Sequence, residues 1–355
     1  MCTVGQRFKK PDAYQSLGCD YFIFDSVLPT SDGLKGSEDQ KAWDWFKSMA
    51  WTRSPKPDFG ISFPGKYAND LYSRLSSNVM YQLRQLLGKG YRAFGVLNCK
   101  GTSSFLSGST GTHLGQLFNT IFNAMTLAQR NAGLKTFFVG LQASSGGTSQ
   151  SSSLMSYARA ISRLNMLILQ SHITPLPPLT ASNCYIYPSS SWSQNPIHDS
   201  SYSSVERASA LLSEGPRYTS IQAFAISFSM AVNMYTISSS PTSTNTRFKD
   251  SCVASAITRI NDICLVPSNY VSNQSDTTER NQRGYVTGKQ FVFSYSTMEN
   301  MIELYKKAKV NMQSKKLGVL LVDTQFDYTE HCSSGSFTRV IAVKNYLNLL
   351  RRSTP

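Results

Sequence analysis

Short apolar runs alternate with amphipathic helical patterns along nearly the whole chain, and this alternation restricts the fold more than any other feature. Residues 21–24, 59–63, 93–97, 136–141, 166–169, 223–237 and 318–322 each read as a strand. The runs are almost continuously apolar, so the strands are expected to be buried on both faces, as in a parallel sheet covered by helices. Between them, Ser37-Glu38-Asp39-Gln40 reads as a capping box that opens a helix running to Met49. Leu71, Leu75, Val79, Met80, Leu83, Leu86 and Leu87 share one helical face, and Gly88 and Gly90 stop that helix. Similar patterns cover about 114–125, 154–163, 298–305 and 337–350.

Seven or eight strand–helix units imply an α/β fold, a (β/α)8 TIM-type barrel over residues 1–355, with an open doubly wound sheet as the alternative. A less regular stretch at about 264–293 reads as a small insertion of β-hairpin character before the last strand. With 41% hydrophobic residues the chain can bury one large core.

Only 16% of residues are charged, a low share, yet the net charge is +14. A balance this basic attracts polyanions. The charge is uneven: residues 71–198 hold no Asp or Glu, although the chain has 21 in all. Arg74, Arg84, Lys89, Arg92, Lys100, Arg130 and Lys135 lie in this stretch and are candidates for a basic patch. Seven cysteines without a CxxC pair read as two or three structural disulfides with at least one thiol left over, and hence as an oxidising compartment. Asn273-Gln274-Ser275 is a glycosylation sequon that agrees with secretion. Met1 followed by Cys2 has the look of a mature chain with an added start residue. The longest apolar stretch is broken by Ser227, Ser229 and Asn233, so no membrane span is expected.

Cofactor and metal signals are weak. Gly146-Gly147-Thr148 has no Lys ahead of its Thr, and Gly88, Gly90 and Ala93 precede a strand rather than open a helix. His113, His172, His198 and His331 lie far apart, without metal-ligand spacing. Neither a cofactor nor a metal is expected. Cys332 beside His331 reads better as a disulfide cysteine than as a nucleophile. Asp323 and Asp327 follow the last strand, where a barrel places functional groups, and serve equally well as loop caps.

Three stretches resemble chitinase-like proteins of glycoside hydrolase family eighteen. In Gly90-Tyr91-Arg92-Ala93-Phe94-Gly95-Val96-Leu97-Asn98-Cys99, the resemblance puts Arg92, Gly95, Leu97 and Cys99 where that family carries Asp-Gly-x-Asp-x-Asp-x-Glu. From Phe293 to Cys332 the chain is similar to the family's closing segment, with Leu321 where a sugar-stacking Trp is usual. From Leu164 to His172 it is similar to the sixth strand, without Met-x-Tyr-Asp. By the same analogy Cys332 pairs with Cys252 or Cys264. The resemblance implies an enzyme scaffold that has lost its general acid, a group typically worth about 10² to 10⁴ in rate. A thiol at Cys99 is too weak an acid to replace it.

The chain is therefore expected to be a secreted pseudoenzyme that binds a host protein in haemostasis or immunity. It is also similar in style to the secreted families of tick saliva. The polyanions open to its basic face are acidic protein segments, anionic phospholipid and sulfated glycans, with nucleic acid disfavoured. A glycan-binding lectin that keeps the cleft, and a residual hydrolase using Asp25, Asp323 or Asp327, are the alternatives.

Overall fold

The computed structural model describes all residues except 10, 50–55, 102–107, 127–135, 144–148, 174–183, 194–203, 219–220, 242–245, 267, 269–270, 277–280, 287, 313–315, 334 and 353–355. The chain opens with β1 (Cys2–Val4), β2 (Tyr21–Asp25), a hairpin of β3 (Val27–Thr30) and β4 (Gly33–Gly36), then α1 (Gln40–Ser48) and β5 (Asp58–Pro64). It continues through α2 (Ser77–Gly88), β6 (Tyr91–Gly101), α3 (Gly108–Asn123), β7 (Thr136–Ala143), α4 (Ser149–Ala160), β8 (Met166–Leu169), α5 (Val205–Tyr218) and β9 (Ala223–Ser229). Next come β10 (Val232–Thr236), β11 (Ala254–Thr258), α6 (Ile260–Cys264), β12 (Val271–Asp276), β13 (Asn281–Val286) and β14 (Phe291–Tyr295). The chain ends with α7 (Met298–Asn311), β15 (Leu317–Val322) and α8 (Thr338–Arg352).

Strands β1, β2, β5, β6, β7, β8, β9 and β15 pair in parallel and close on themselves. Closure removes the open-sheet alternative: β1, which the apolar pattern did not reveal, pairs with both β2 and β15. Alternate residues divide between two cores. Ile23, Ala93, Leu97, Phe138, Ile168, Ala225, Leu320 and Val322 fill the barrel. Phe22, Phe24, Phe94 and Val96 point out beneath the helices. Small residues set the fit inside: a Cβ on Gly95 would fall 2.3 Å from the Phe138 ring, and one on Gly60 would fall 2.7 Å from Ile23. Each large side chain thus occupies room that a neighbouring strand leaves empty, as a narrow barrel demands.

Several boundaries differ from the expectation. Stretch 223–237 is two strands, because the chain leaves the barrel after Ser229 and enters an antiparallel sheet at Val232. That five-stranded sheet, in the order β11-β10-β14-β13-β12, extends the inserted segment upstream from about 264 to Val232. Helix α1 is capped by Asp39, whose carboxylate accepts from Ala42 N at 3.0 Å, and not by Ser37. Leu71 lies in a turn ahead of α2, which Ser76 caps.

Disulfides join Cys2–Cys19, Cys184–Cys252 and Cys264–Cys332, leaving a buried thiol at Cys99. Of the two partners considered for Cys332, Cys264 is the one used, and Cys252 instead ties the segment after β8 to the inserted sheet. A buried neutral network helps seat that sheet: the Ser189 and Ser190 hydroxyls meet Ser296 Oγ at 3.0 and 2.7 Å, and Ser189 donates to Asn281 at 3.1 Å.

Candidate functional site

In a parallel barrel, side chains at the C-terminal ends of the strands converge on one mouth. Here that mouth gathers Asp25 at the end of β2, Ser62 on β5, Asn98 on β6, Gln170 just after β8 and Asp323 just after β15. Strand β6 delivers its residue through an irregularity. Its register with β7 shifts between Val96 and Cys99, and Asn98 adopts φ 60°. A bulge of this kind re-aims a side chain, and Asn tolerates the left-handed region better than most residues. Leu97 faces the barrel interior, Asn98 turns into the mouth, and Cys99 turns outward into the core beneath the helices.

A hydrogen-bonded chain crosses the mouth. Ser62 Oγ donates to Asp25 Oδ1 at 2.5 Å, and Asn98 Nδ2 donates to Asp25 Oδ2 at 3.2 Å. The buried Gln170 side chain grips Asn98 twice: its Nε2 donates to Asn98 Oδ1 at 2.8 Å, and its Oε1 accepts from Asn98 N at 3.1 Å. On the other flank Gln325 Nε2 donates to Asp323 Oδ1 at 3.1 Å. Gly5, just after β1, packs against the backbone of Asp25: a Cβ there would sit 2.2 Å from the Asp25 carbonyl oxygen and 4.0 Å from Asp323 Oδ1.

Both carboxyls are half-buried, and neither has a cationic partner among the described residues. Loss of water raises Asp25 to about 6, although the bonds from Ser62 and Asn98 pull it down. Loss of water, and then the charge of Asp25, raise Asp323 to about 7. Both carboxyls therefore hold their protons to higher pH than a solvated carboxyl does. Chemically, the mouth presents the exposed Asn98 amide and two half-buried carboxyls with raised proton affinity, groups that can pair with sugar hydroxyls, while the buried Ser62 and Gln170 hold them in place.

The residues expected from sequence are distributed as follows. Arg92 lies at the start of β6, at the far end of the barrel, 3.8 Å from Asp58. Gly95 and Leu97 belong to the barrel interior, whereas Cys99 is sealed from the mouth, where burial pushes its thiol far above the ordinary range. Leu321 packs outward, and its neighbours Leu320 and Val322 face in. Asp327 is a structural anchor: its carboxylate accepts from Arg339 Nε at 2.6 Å and Val340 N at 3.2 Å, while Arg339 also donates to the carbonyls of Met230 and Ser296. His172 is buried with Nδ1 2.7 Å from Ser227 Oγ, and burial lowers it to about 4, so it stays neutral.

The basic candidates do not form one face. Arg74 pairs with Asp70 at 2.6 Å and lies over the Tyr67 ring. Arg84 and Lys89 are exposed on α2. Arg92 and Lys100 stand at opposite ends of β6, about 26 Å apart at the usual strand rise. Arg130 and Lys135 lie outside the described residues. Asn273 lies on β12, the edge strand of the inserted sheet, opposite Gly284.

Sequence reasoning missed Ser62, Asn98, Gln170 and Gln325. A usable signal was present for two of them. Asn98 and Gln170 are each the first polar residue after an apolar strand run, as are Asp25 and Asp323.

The chain matches no protein-family model and no curated protein. Its fold does match solved structures. An immunomodulatory active chitinase from Trichuris suis aligns with TM-score 0.69 and 14% identity over 98% of both chains. Human YKL-39, described as a pseudo-chitinase with retained chitooligosaccharide binding, aligns with TM-score 0.67 and 15% identity over 98% of both chains. A chitinase-like agglutinin from Robinia pseudoacacia aligns with TM-score 0.63 and 11% identity over 96% of this chain and 98% of that one. The closed barrel is thus similar in fold to those of solved glycoside hydrolase family eighteen chitinases and chitinase-like proteins. Similarity to tick salivary proteins finds no counterpart among these structures.

Proposed function

We propose that this chain is a secreted, chitinase-like protein that binds a saccharide at the barrel mouth without hydrolysing it. One observation carries the reading. The fourth barrel strand presents the Asn98 amide to the mouth, locked between Asp25 and Gln170, and no carboxyl on that strand reaches it. An amide holds a sugar hydroxyl or acetamido group by hydrogen bonding but donates no proton to a leaving oxygen. The three disulfides support an extracellular setting, and no helix among the described residues is long and apolar enough to cross a membrane. Among the neighbours in fold, one is described as binding chitooligosaccharide as a pseudo-chitinase, and another as an agglutinin.

The test is calorimetric titration with N-acetylglucosamine oligomers, with product release followed on the same samples. Binding without turnover is expected, weakened about tenfold by Asn98→Ala, which strips one partner each from Asp25 and Gln170. Turnover by the unaltered protein would overturn the reading. A second reading, binding of a host protein in haemostasis or immunity, draws on the net charge of +14 and on the exposed Arg84 and Lys89. It requires a salt-sensitive effect on clotting or complement that Arg84→Glu with Lys89→Glu removes.

A further inference from the structure

The side of the barrel carries a second concavity, remote from the mouth. A groove of about 680 Å³ runs between the β3–β4 hairpin, α1 and α2. Tyr81 and Gln85 on α2 and Lys89 at its C-cap form one wall at four-residue spacing. At a rise of 1.5 Å per residue this row spans about 12 Å, roughly the length of a disaccharide. Lys35, Lys47 and Gln40 stand on the facing side.

The chemistry of the lining is specific. The Tyr81 ring is 61% exposed, a large aromatic face left in water at the edge of a groove. Lys89 is exposed and has no side-chain partner among the described residues. Lys35 is held by Asp32 and Lys47 by Asp44, each at 2.8 Å, with all four side chains well exposed. Surface pairs of this kind contribute little to stability, so an incoming anion can take over either ammonium at little cost. Lys47 also lies 5.2 Å over the Trp43 ring, which fixes its stem at the groove. Cations alone would suit any polyanion. An aromatic platform, the Gln85 amide and three ammonium groups in a concave site of disaccharide length suit a sulfated or carboxylated sugar.

We infer that this groove, lined by Tyr81, Gln85, Lys89, Lys35 and Lys47, is a second saccharide site selective for anionic oligosaccharides. It stands independently of the barrel mouth. The experiment is titration of the full chain with a sulfated glucosamine–uronate hexasaccharide and its desulfated counterpart, at two salt concentrations. Tyr81→Ala, Lys89→Glu and the charge-matched Lys289→Glu, in the exposed β13–β14 turn, are compared with Asn98→Ala. The expected result is binding of the sulfated form only, about tenfold weaker in Tyr81→Ala and Lys89→Glu, weaker in high salt, and unchanged in Lys289→Glu and Asn98→Ala. Absence of binding, equal binding of the desulfated sugar, or equal losses in Lys289→Glu would overturn the inference. So would capture of single-stranded DNA or phosphatidylserine vesicles with the same sensitivity to Tyr81 and Lys89.

Discussion

Replacing Asp323 by Asn should stabilise the protein in a pH-dependent way. The native carboxyl is raised from 3.8 to about 7 and Asp25 to about 6, chiefly because the mouth withdraws them from water. A carboxyl raised on folding holds its proton more tightly in the native state. Below about pH 4 both states are protonated and nothing is lost. Between about pH 4 and 7 the unfolded chain ionises first, so stability falls as pH rises, and the deficit is complete above about pH 7. At about 1.4 kcal/mol per unit, a sealed group would lose about 4 kcal/mol. Asp323 is half-buried and shares its shift with Asp25, so on the order of 2 kcal/mol is expected after screening by solvent. Asn keeps the oxygen that accepts from Gln325 Nε2 and removes the charge. Scanning calorimetry should therefore show a melting temperature about 1 °C above that of the unaltered protein at pH 4.5 and about 3 °C above it at pH 8. A gain that is the same at both pH values, or a loss at pH 8, would refute the account of an unneutralised pair.

Other consequences are structural. Asp327→Ala leaves the buried Arg339 guanidinium without its anion, and denaturant titration should register a loss of about 3 to 5 kcal/mol. Removing the Cys264–Cys332 bridge as a double Ala variant opens a loop of sequence separation 68, for which chain entropy predicts about 4 kcal/mol, readable as a lower denaturation midpoint. Gly95→Ala drives a methyl to 2.3 Å from the Phe138 ring and 2.4 Å from its carbonyl, and thermal melts should show a cost of about 1 to 3 kcal/mol.

The barrel was legible because its strands are continuous apolar runs and its helices keep one apolar face. What failed was local. Cys2–Val4 is too short to announce itself, and it becomes a strand only because β2 and β15 flank it. Residues 223–237 read as one strand because Met230 and Ala231, where the chain changes sheets and Met230 N bonds the Val322 carbonyl, are themselves apolar. The largest miss concerned β6. Strict alternation from Leu97 puts Cys99 on the inner face, but the shift after Val96 spends a residue and reverses the sides, so Asn98 takes the mouth. No periodicity argument finds such a bulge, although a polar Asn closing an apolar run is a hint of where a strand ends at a mouth. The charge pattern misled for a related reason. Sequence proximity brought Arg92 and Lys100 into one supposed patch, while the strand that carries both separates them by its whole length.

The acid-free stretch covers β6, β7 and β8, three adjacent strands, and among the described residues the side chains bonded across the mouth from this arc are the amides of Asn98 and Gln170. The carboxyls that do reach it come from β2 and β15, which flank β1 on the opposite arc of the barrel. Of these, Asp25 has both oxygens occupied as acceptors, from Ser62 and Asn98, so its hydrogen bonds favour the ionised form and oppose its use as a proton donor. Asp323 keeps a proton to higher pH, but it sits beside Asp25, away from the strand where a chitinase of this fold is expected to hold its acid. A saccharide seated against Asn98 would thus meet an amide on one side and, on the other, carboxyls that hold their protons to higher pH than usual. On the proposed reading, this arrangement retains the sugar and does not cleave its bond.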